Sequence, residues 1–155
     1  MSYMEITFTL CLPRDGASVP VARHLCRDAL LQLGVADGCV SDIELAVTEA
    51  CTNVLNHAAG TDEQYEVVVD VNEETCEIRI VDTGTGFDHA EVGLLTSSNT
   101  AESGRGVFLM RALVDNLDFV SAEHGTVVRL VKSLTLEPGS MLKLLSIKEK
   151  VMSTP

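Results

Sequence analysis

The chain has 155 residues, enough for one domain around one core, and 46% of them are apolar, which excludes intrinsic disorder. Its 11 Lys plus Arg against 23 Asp plus Glu leave a net charge of -12, which argues against direct nucleic-acid binding or an anionic membrane as partner. Five cysteines, an odd number with no Cys-x-x-Cys pair, exclude a zinc ribbon and give no support to a disulfide framework; they read as buried reduced thiols.

Residues 4–12 alternate in character and predict a strand with Ile6, Phe8 and Leu10 on one face, ended by Pro13. Ser18 is placed to cap a helix with Pro20 in its first turn, where a missing N–H does no harm. Val21, Leu25, Ala29 and Leu33 give that helix an apolar stripe, and Gly34 closes it. Ser41-Asp-Ile-Glu44 has the form of a capping box, so a second helix is predicted from about 42 through Leu45, Glu49, Asn53 and His57 to Gly60. Tyr65–Val71 and Glu77–Val81 alternate and are joined by the polar Asn72-Glu-Glu-Thr75, which predicts a hairpin.

Residues 83–105 carry no clear element and are rich in Gly, Ser and Thr; such a loop inside a compact domain is a functional lid or conceals a short helix. Gly106–Asn116 predicts a helix with Val107, Met110 and Val114 on one face. Leu117–Ser121 and Thr126–Val131 predict a closing hairpin around Glu123-His124-Gly125. Beyond Ser133, Pro138-Gly139 breaks the pattern. The apolar and lysine-bearing stretch from Met141 to Val151 reads as a packing helix, a partner contact or a tail. The order strand, helix, helix, hairpin, loop, helix, hairpin predicts an α/β two-layer sandwich. Its sheet would be mixed but mostly antiparallel, with helices on one face. The start lacks a basic segment followed by a long apolar run, so no signal peptide or membrane span is expected and a cytoplasmic location is.

Glu49 and Asn53 lie one turn apart on the second predicted helix and face the same way, with Asn56 and His57 beside them. A solvated helix face is one account. The other is a cleft in which the Asn oxygen holds magnesium and the carboxylate takes a proton from an attacking hydroxyl. Asp82 ends an alternating strand and leads into Thr-Gly84-Thr-Gly86, either as an ordinary turn or to accept a hydrogen bond from an adenine amino group. Gly104-Arg105-Gly106 precedes a predicted helix, whose free N–H groups and dipole favour a phosphate, with the Arg105 guanidinium adding donors. Thr126 follows Gly125 and offers a hydroxyl near a purine, although a threonine in a hairpin needs no such role.

Taken in order, Glu49-Ala-Cys-Thr-Asn53, Asp82-Thr-Gly-Thr-Gly-Phe87, Gly104-Arg-Gly-Val-Phe-Leu-Met-Arg-Ala-Leu113 and Gly125-Thr126 resemble the boxes of the GHKL ATPase superfamily. The glycine-arginine run is most similar to the bacterial anti-sigma factor serine/threonine kinases, and the resemblance covers residues 4–132. It implies a GHKL ATP-binding kinase domain over residues 1–132 and an extension of open role over 133–155. It further implies Mg-ATP bound under a lid at residues 88–103, a sigma factor held inactive, and phosphorylation of an anti-anti-sigma factor. By the same match Glu49 is the catalytic base and Asn53 the magnesium ligand. Asp82, Gly84, Gly86 and Thr126 serve the adenine, and Gly104, Arg105 and Gly106 the phosphates. Homodimers are implied as well. A nucleotide-responsive binding module without kinase activity is the alternative. A histidine kinase and a gyrase- or chaperone-like ATPase are disfavoured by the expected lack of a dimerisation helix pair and of a transducer domain.

Overall fold

Segments in which every second side chain is apolar form five strands: β1 (Ile6–Pro13), β2 (Gln64–Val71), β3 (Thr75–Asp82), β4 (Asn116–Ala122) and β5 (Gly125–Ser133). Among the described residues four helices accompany them: α1 (Ser18–Gln32), α2 (Asp37–His57), α3 (Ala101–Leu113) and α4 (Met141–Met152). The computed structural model describes residues 4–57, 64–82, 101–122 and 125–152. The strands lie side by side in the order β1-β2-β3-β5-β4. The expected sheet was mixed; all four pairings among the described residues are antiparallel.

Register places Val67 opposite Ile80 and Val69 opposite Ile78, so their side chains share the face that the helices cover. That face is buried, and Ala22, Cys26, Leu30, Ile43, Val47, Val54 and Met110 fill the layer above it. The other face is half-buried and crossed by ion pairs. Asp70 accepts from Thr7 at 2.7 Å and from Arg79 at 2.9 Å, while Arg129 reaches both Glu77 and Asp118. Alternation thus sets the sheet, and the helix layer decides which half of each strand becomes core.

The helices depart from the sequence expectation in three places. In α1 the buried stripe is Val19, Ala22, Cys26 and Leu30, whereas Val21 and Leu25 are exposed. The small Ala22 and Cys26 let α1 settle close to α2, which outweighs the larger apolar side chains of the neighbouring face. Ser18 does not cap α1. It starts the helix and is buried, its hydroxyl bonded to Asp15 O at 2.7 Å and to the Tyr65 hydroxyl at 2.6 Å. Asp15 serves the free donors instead, accepting from the Ala17 N–H at 2.9 Å. Helix α2 begins at Asp37, so the apparent capping box lies inside it. Val40, Ile43 and Val47 already follow a buried helical period, and Asp37 places an acid at the positive end of the dipole.

Helix α3 begins at Ala101 rather than Gly106, which puts Gly104-Arg105-Gly106 within the helix. Its expected inner face holds: Val107 and Met110 are buried and Val114 is half-buried. The last segment forms a helix whose first turn packs on the core, while Met141, Leu144, Ile147 and Val151 stay exposed. Leu142 is fully buried in the core, and the Ser140 hydroxyl donates to Leu33 O at 2.6 Å. Gly34 makes that contact possible. Its φ is 82°, and a Cβ there would stand 2.7 Å from the Ser140 Cα.

Candidate functional site

The site begins where α3 crosses α2. Glu49 and Asn53 project from one side of α2, one half-buried and the other only 5% exposed. Gly106 faces them from α3. A Cβ at that glycine would lie 3.0 Å from Glu49 Oε2, 3.5 Å from Asn53 Oδ1 and 3.9 Å from Asn53 Nδ2. The glycine therefore lets one helix backbone approach a carboxylate and an amide on the other. Asn53 Nδ2 is buried and has no hydrogen-bond partner among the described residues. Leaving a buried amide unsatisfied costs about 1–3 kcal/mol, so this donor is available to a ligand.

A second group of residues lies at the end of the sheet. Asp82 closes β3, paired with Tyr65 of β2 on one side and Thr126 of β5 on the other. All three residues of this rung are buried: Tyr65 is 1% exposed, Asp82 0% and Thr126 1%. Arg14, immediately after β1, reaches into it. Its Nη1 donates to Asp82 Oδ1 at 2.7 Å, and its Nη2 donates to the Val54 carbonyl of α2 at 3.2 Å. That carbonyl follows Asn53 directly, so Arg14 ties the sheet end to the helix bearing Glu49 and Asn53. An open groove of about 680 Å³ is lined in part by Arg14, Val19, Thr52 and Asn56.

Cys51 lies beside Tyr65 and Cys26 near Cys51, and burial pushes both thiols up to about 12. The Tyr65 hydroxyl is likewise raised to about 12, chiefly by burial and then by Cys51. These groups are neutral and serve as packing.

The structure thus brings Glu49, Asn53 and Gly106 together at one helix crossing and Asp82 and Thr126 together on one rung. Gly84 and Gly86 lie outside the described residues, as does most of the expected lid. Gly104 falls in the first turn of α3, where N–H groups lack intrahelical partners, whereas Arg105 and Gly106 follow in the next turn. The expectation that the glycine pair precedes a helix is corrected accordingly. Arg105 has an exposed side chain on α3.

Sequence reasoning missed Arg14, Ser18 and Tyr65. Arg14 follows a strand-ending proline as any loop cation does, and Tyr65 occupies an ordinary inward position of an alternating strand. Among the described residues no group of three or more His, Cys, Asp or Glu is arranged to hold a metal. The residues present do fit a nucleotide-bound magnesium, which keeps few protein ligands and takes the rest from phosphates and water.

The family model described as a histidine kinase-like ATPase domain matches residues 12–132, which span both groups of site residues. A relative named serine-protein kinase RsbW, from Bacillus velezensis, is 30% identical over 136 residues, covering 81% of this chain and 84% of its own. Its namesake from Bacillus pumilus is 36% identical over 110 residues, covering 63% and 67%. That from Listeria monocytogenes is 30% identical, covering 83% and 88%. The fold also matches the crystal structure of the RsbU and RsbW domains of a Mycobacterium tuberculosis protein. There the TM-score is 0.65 and the identity 18%, over 86% of this chain and 33% of that one. The chain belongs to the histidine kinase-like ATPase domain family and, within it, to the RsbW serine-protein kinases.

Proposed function

We propose that this protein is an anti-sigma factor that sequesters a sigma factor and uses Mg-ATP to phosphorylate a serine or threonine of an anti-anti-sigma factor. The observation that carries the proposal is the meeting of Glu49, Asn53 and Gly106 where α2 and α3 cross. A protein that only sequesters a partner needs no carboxylate beside a metal-binding amide; a phosphotransferase does.

Asn53 Oδ1 is the atom suited to hold Mg²⁺ beside the phosphates, and its buried Nδ2 then gains a partner in the ligand. Held there, Mg²⁺ would supply neutralisation of the phosphoryl charge. Glu49 orients the incoming hydroxyl and accepts its proton as the new O–P bond forms and the bond to ADP breaks. Asp82 accepts from the adenine amino group, with Thr126 next to it on the rung. Gly84 and Gly86 serve the adenine, and Gly104, Arg105 and Gly106 serve the phosphates. The working unit is a cytoplasmic homodimer.

Transfer of labelled phosphate from ATP to a co-purified partner tests this reading. We expect Glu49→Ala to bind ATP as the wild type does and to lose transfer by about 100-fold or more. Transfer at the wild-type rate would remove Glu49 from the role of base. A wild-type protein that retains its partner in an ATP-dependent way and transfers no phosphate would instead be a nucleotide-responsive binding module. A pull-down with ATP and with ADP identifies the partner, and recovery of neither a sigma factor nor a small anti-anti-sigma protein would overturn the proposal.

A further inference from the structure

Arg14 belongs to none of the sequence motifs, yet its guanidinium bonds the buried carboxylate at the sheet end. Three observations define what it does there. First, its partner Asp82 is 0% exposed, and the Arg14 side chain itself is only 11% exposed. An ion pair this deep is held in a single geometry, unlike the mobile pairs of a surface. Second, the guanidinium is forked between two elements, with Asp82 Oδ1 at 2.7 Å and the Val54 carbonyl at 3.2 Å. Val54 lies within the last four residues of α2, where carbonyls lack intrahelical partners and the dipole favours a cation. The fork therefore fixes Arg14 and, through it, the rotation of the carboxylate. Third, a guanidinium has five donors and no acceptor. The oxygen it touches can only accept, and the carboxylate keeps acceptor capacity for a further donor.

We propose that Arg14 is a positioning residue that sets purine specificity, by holding Asp82 as a fixed, acceptor-only group. The inference rests on the reading of Asp82 as the adenine-facing residue and assigns the control of that contact. A 6-amino purine brings an N–H donor to such a carboxylate; a 6-oxo purine brings a carbonyl oxygen, and two acceptors repel. A site built around one hydrogen-bond sense rejects the analogue of opposite sense, because its buried group is left unpaired. Without Arg14 the Asp82 carboxylate loses the charge-assisted bond that fixes its direction, so the discrimination between the two bases narrows.

ATP and ITP carry the same sugar and phosphates and differ at the 6-position and in the proton on N1, which makes them the probe pair. Their affinities for the full chain are measured by titration calorimetry with magnesium, on wild type, Arg14→Met, Arg14→Lys and Asp82→Asn. Thermal melting of each variant reports its fold. The wild type is expected to prefer ATP by roughly tenfold or more. Arg14→Met is expected to narrow that preference to less than about threefold. Arg14→Lys, which restores a charged donor, recovers most of it. A merely structural staple would lower affinity for both nucleotides together and leave their ratio untouched.

An unchanged ratio in a folded Arg14→Met protein overturns the proposal. So does a wild type that binds both nucleotides equally while Asp82→Asn binds neither. If Arg14→Met does not fold, Arg14→Lys decides through rescue: a folded Lys variant that has lost the preference defeats the rescue expected of a charged donor and overturns the proposal. Wild-type ATP binding by Asp82→Asn would instead show that Asp82 does not face the base, a failure of the site reading beneath the proposal.

Discussion

At the scale of single residues, the site depends on what is missing at one position as much as on what is present at others. Gly106 sits mid-helix, where alanine is favoured by about 1 kcal/mol. Its place is explained by the 3.0 Å that would separate a Cβ from Glu49 Oε2. Gly106→Ala is therefore expected to change stability by no more than about 1 kcal/mol in either direction, since the propensity gain offsets a displacement of a few tenths of an ångström. Phosphotransfer should fall by about tenfold or more, because the displaced group is the proposed base. Comparison of melting temperature with single-turnover rate checks this. A large loss of stability with an unchanged rate would place Gly106 in packing alone. Glu49, Asn53 and Asp82 could be chosen from the sequence because their neighbours were glycines and small residues in a telling order. Arg14 could not, since its role depends on two partners 40 and 68 positions away.

At the scale of elements, α4 shows how a segment beyond the matched family region becomes part of the fold. Its Leu142 is fully buried, whereas Met141, Leu144, Ile147 and Val151 are exposed. The helix is seated by one inward leucine, by Ser140 against the end of α1, and by the bridge between Val35 and Leu136. Leu142→Ala should cost about 2–5 kcal/mol in urea denaturation, the usual range for a fully buried leucine. A loss under about 1 kcal/mol would mean that α4 contributes little to the core. The sequence pattern from 141 to 151 contained apolar residues on every side, so periodicity alone gave no orientation. The same limit explains α1, where two apolar stripes competed and the one with small residues went inward.

At the scale of the whole molecule, the core is unusually rich in protonated sulfur. Burial raises Cys26 and Cys51 from 9.0 to about 12, raises Cys76 further, and lifts Tyr65 from 10.0 to about 12. The unfolded chain begins to release these thiol protons near pH 9, while the folded chain retains them. Folding stability from this source is complete below pH 9 and is lost as pH rises toward 12. A melting temperature that declines steadily across that alkaline window is expected; a flat profile from pH 8 to 11 would contradict the burial of the thiols. Alkylation at neutral pH should modify the exposed Cys11 and leave Cys26, Cys51 and Cys76 intact until the protein unfolds. No helix among the described residues is long and apolar enough to cross a membrane.

The sequence by itself determined the elements that rest on local periodicity: five alternating strands, the inner face of α3, the glycine close of α1, and an antiparallel layer under helices. It also determined the residues whose chemistry is legible from type and spacing, above all Glu49 with Asn53 one turn on. Helix starts were less legible, because α2 and α3 each begin several residues before the signal that suggested them. An apparent capping box or glycine pair marks a start only if the preceding residues have nothing to bury or to pack against. Only the tertiary structure decided which stripe of α1 faces inward, that α4 is seated in the core, and that Gly106 lies against Glu49. It alone placed Arg14 on Asp82. The reason is physical: periodicity is a property of neighbours along the chain, whereas close approach and buried charge pairing are set by elements that meet in space.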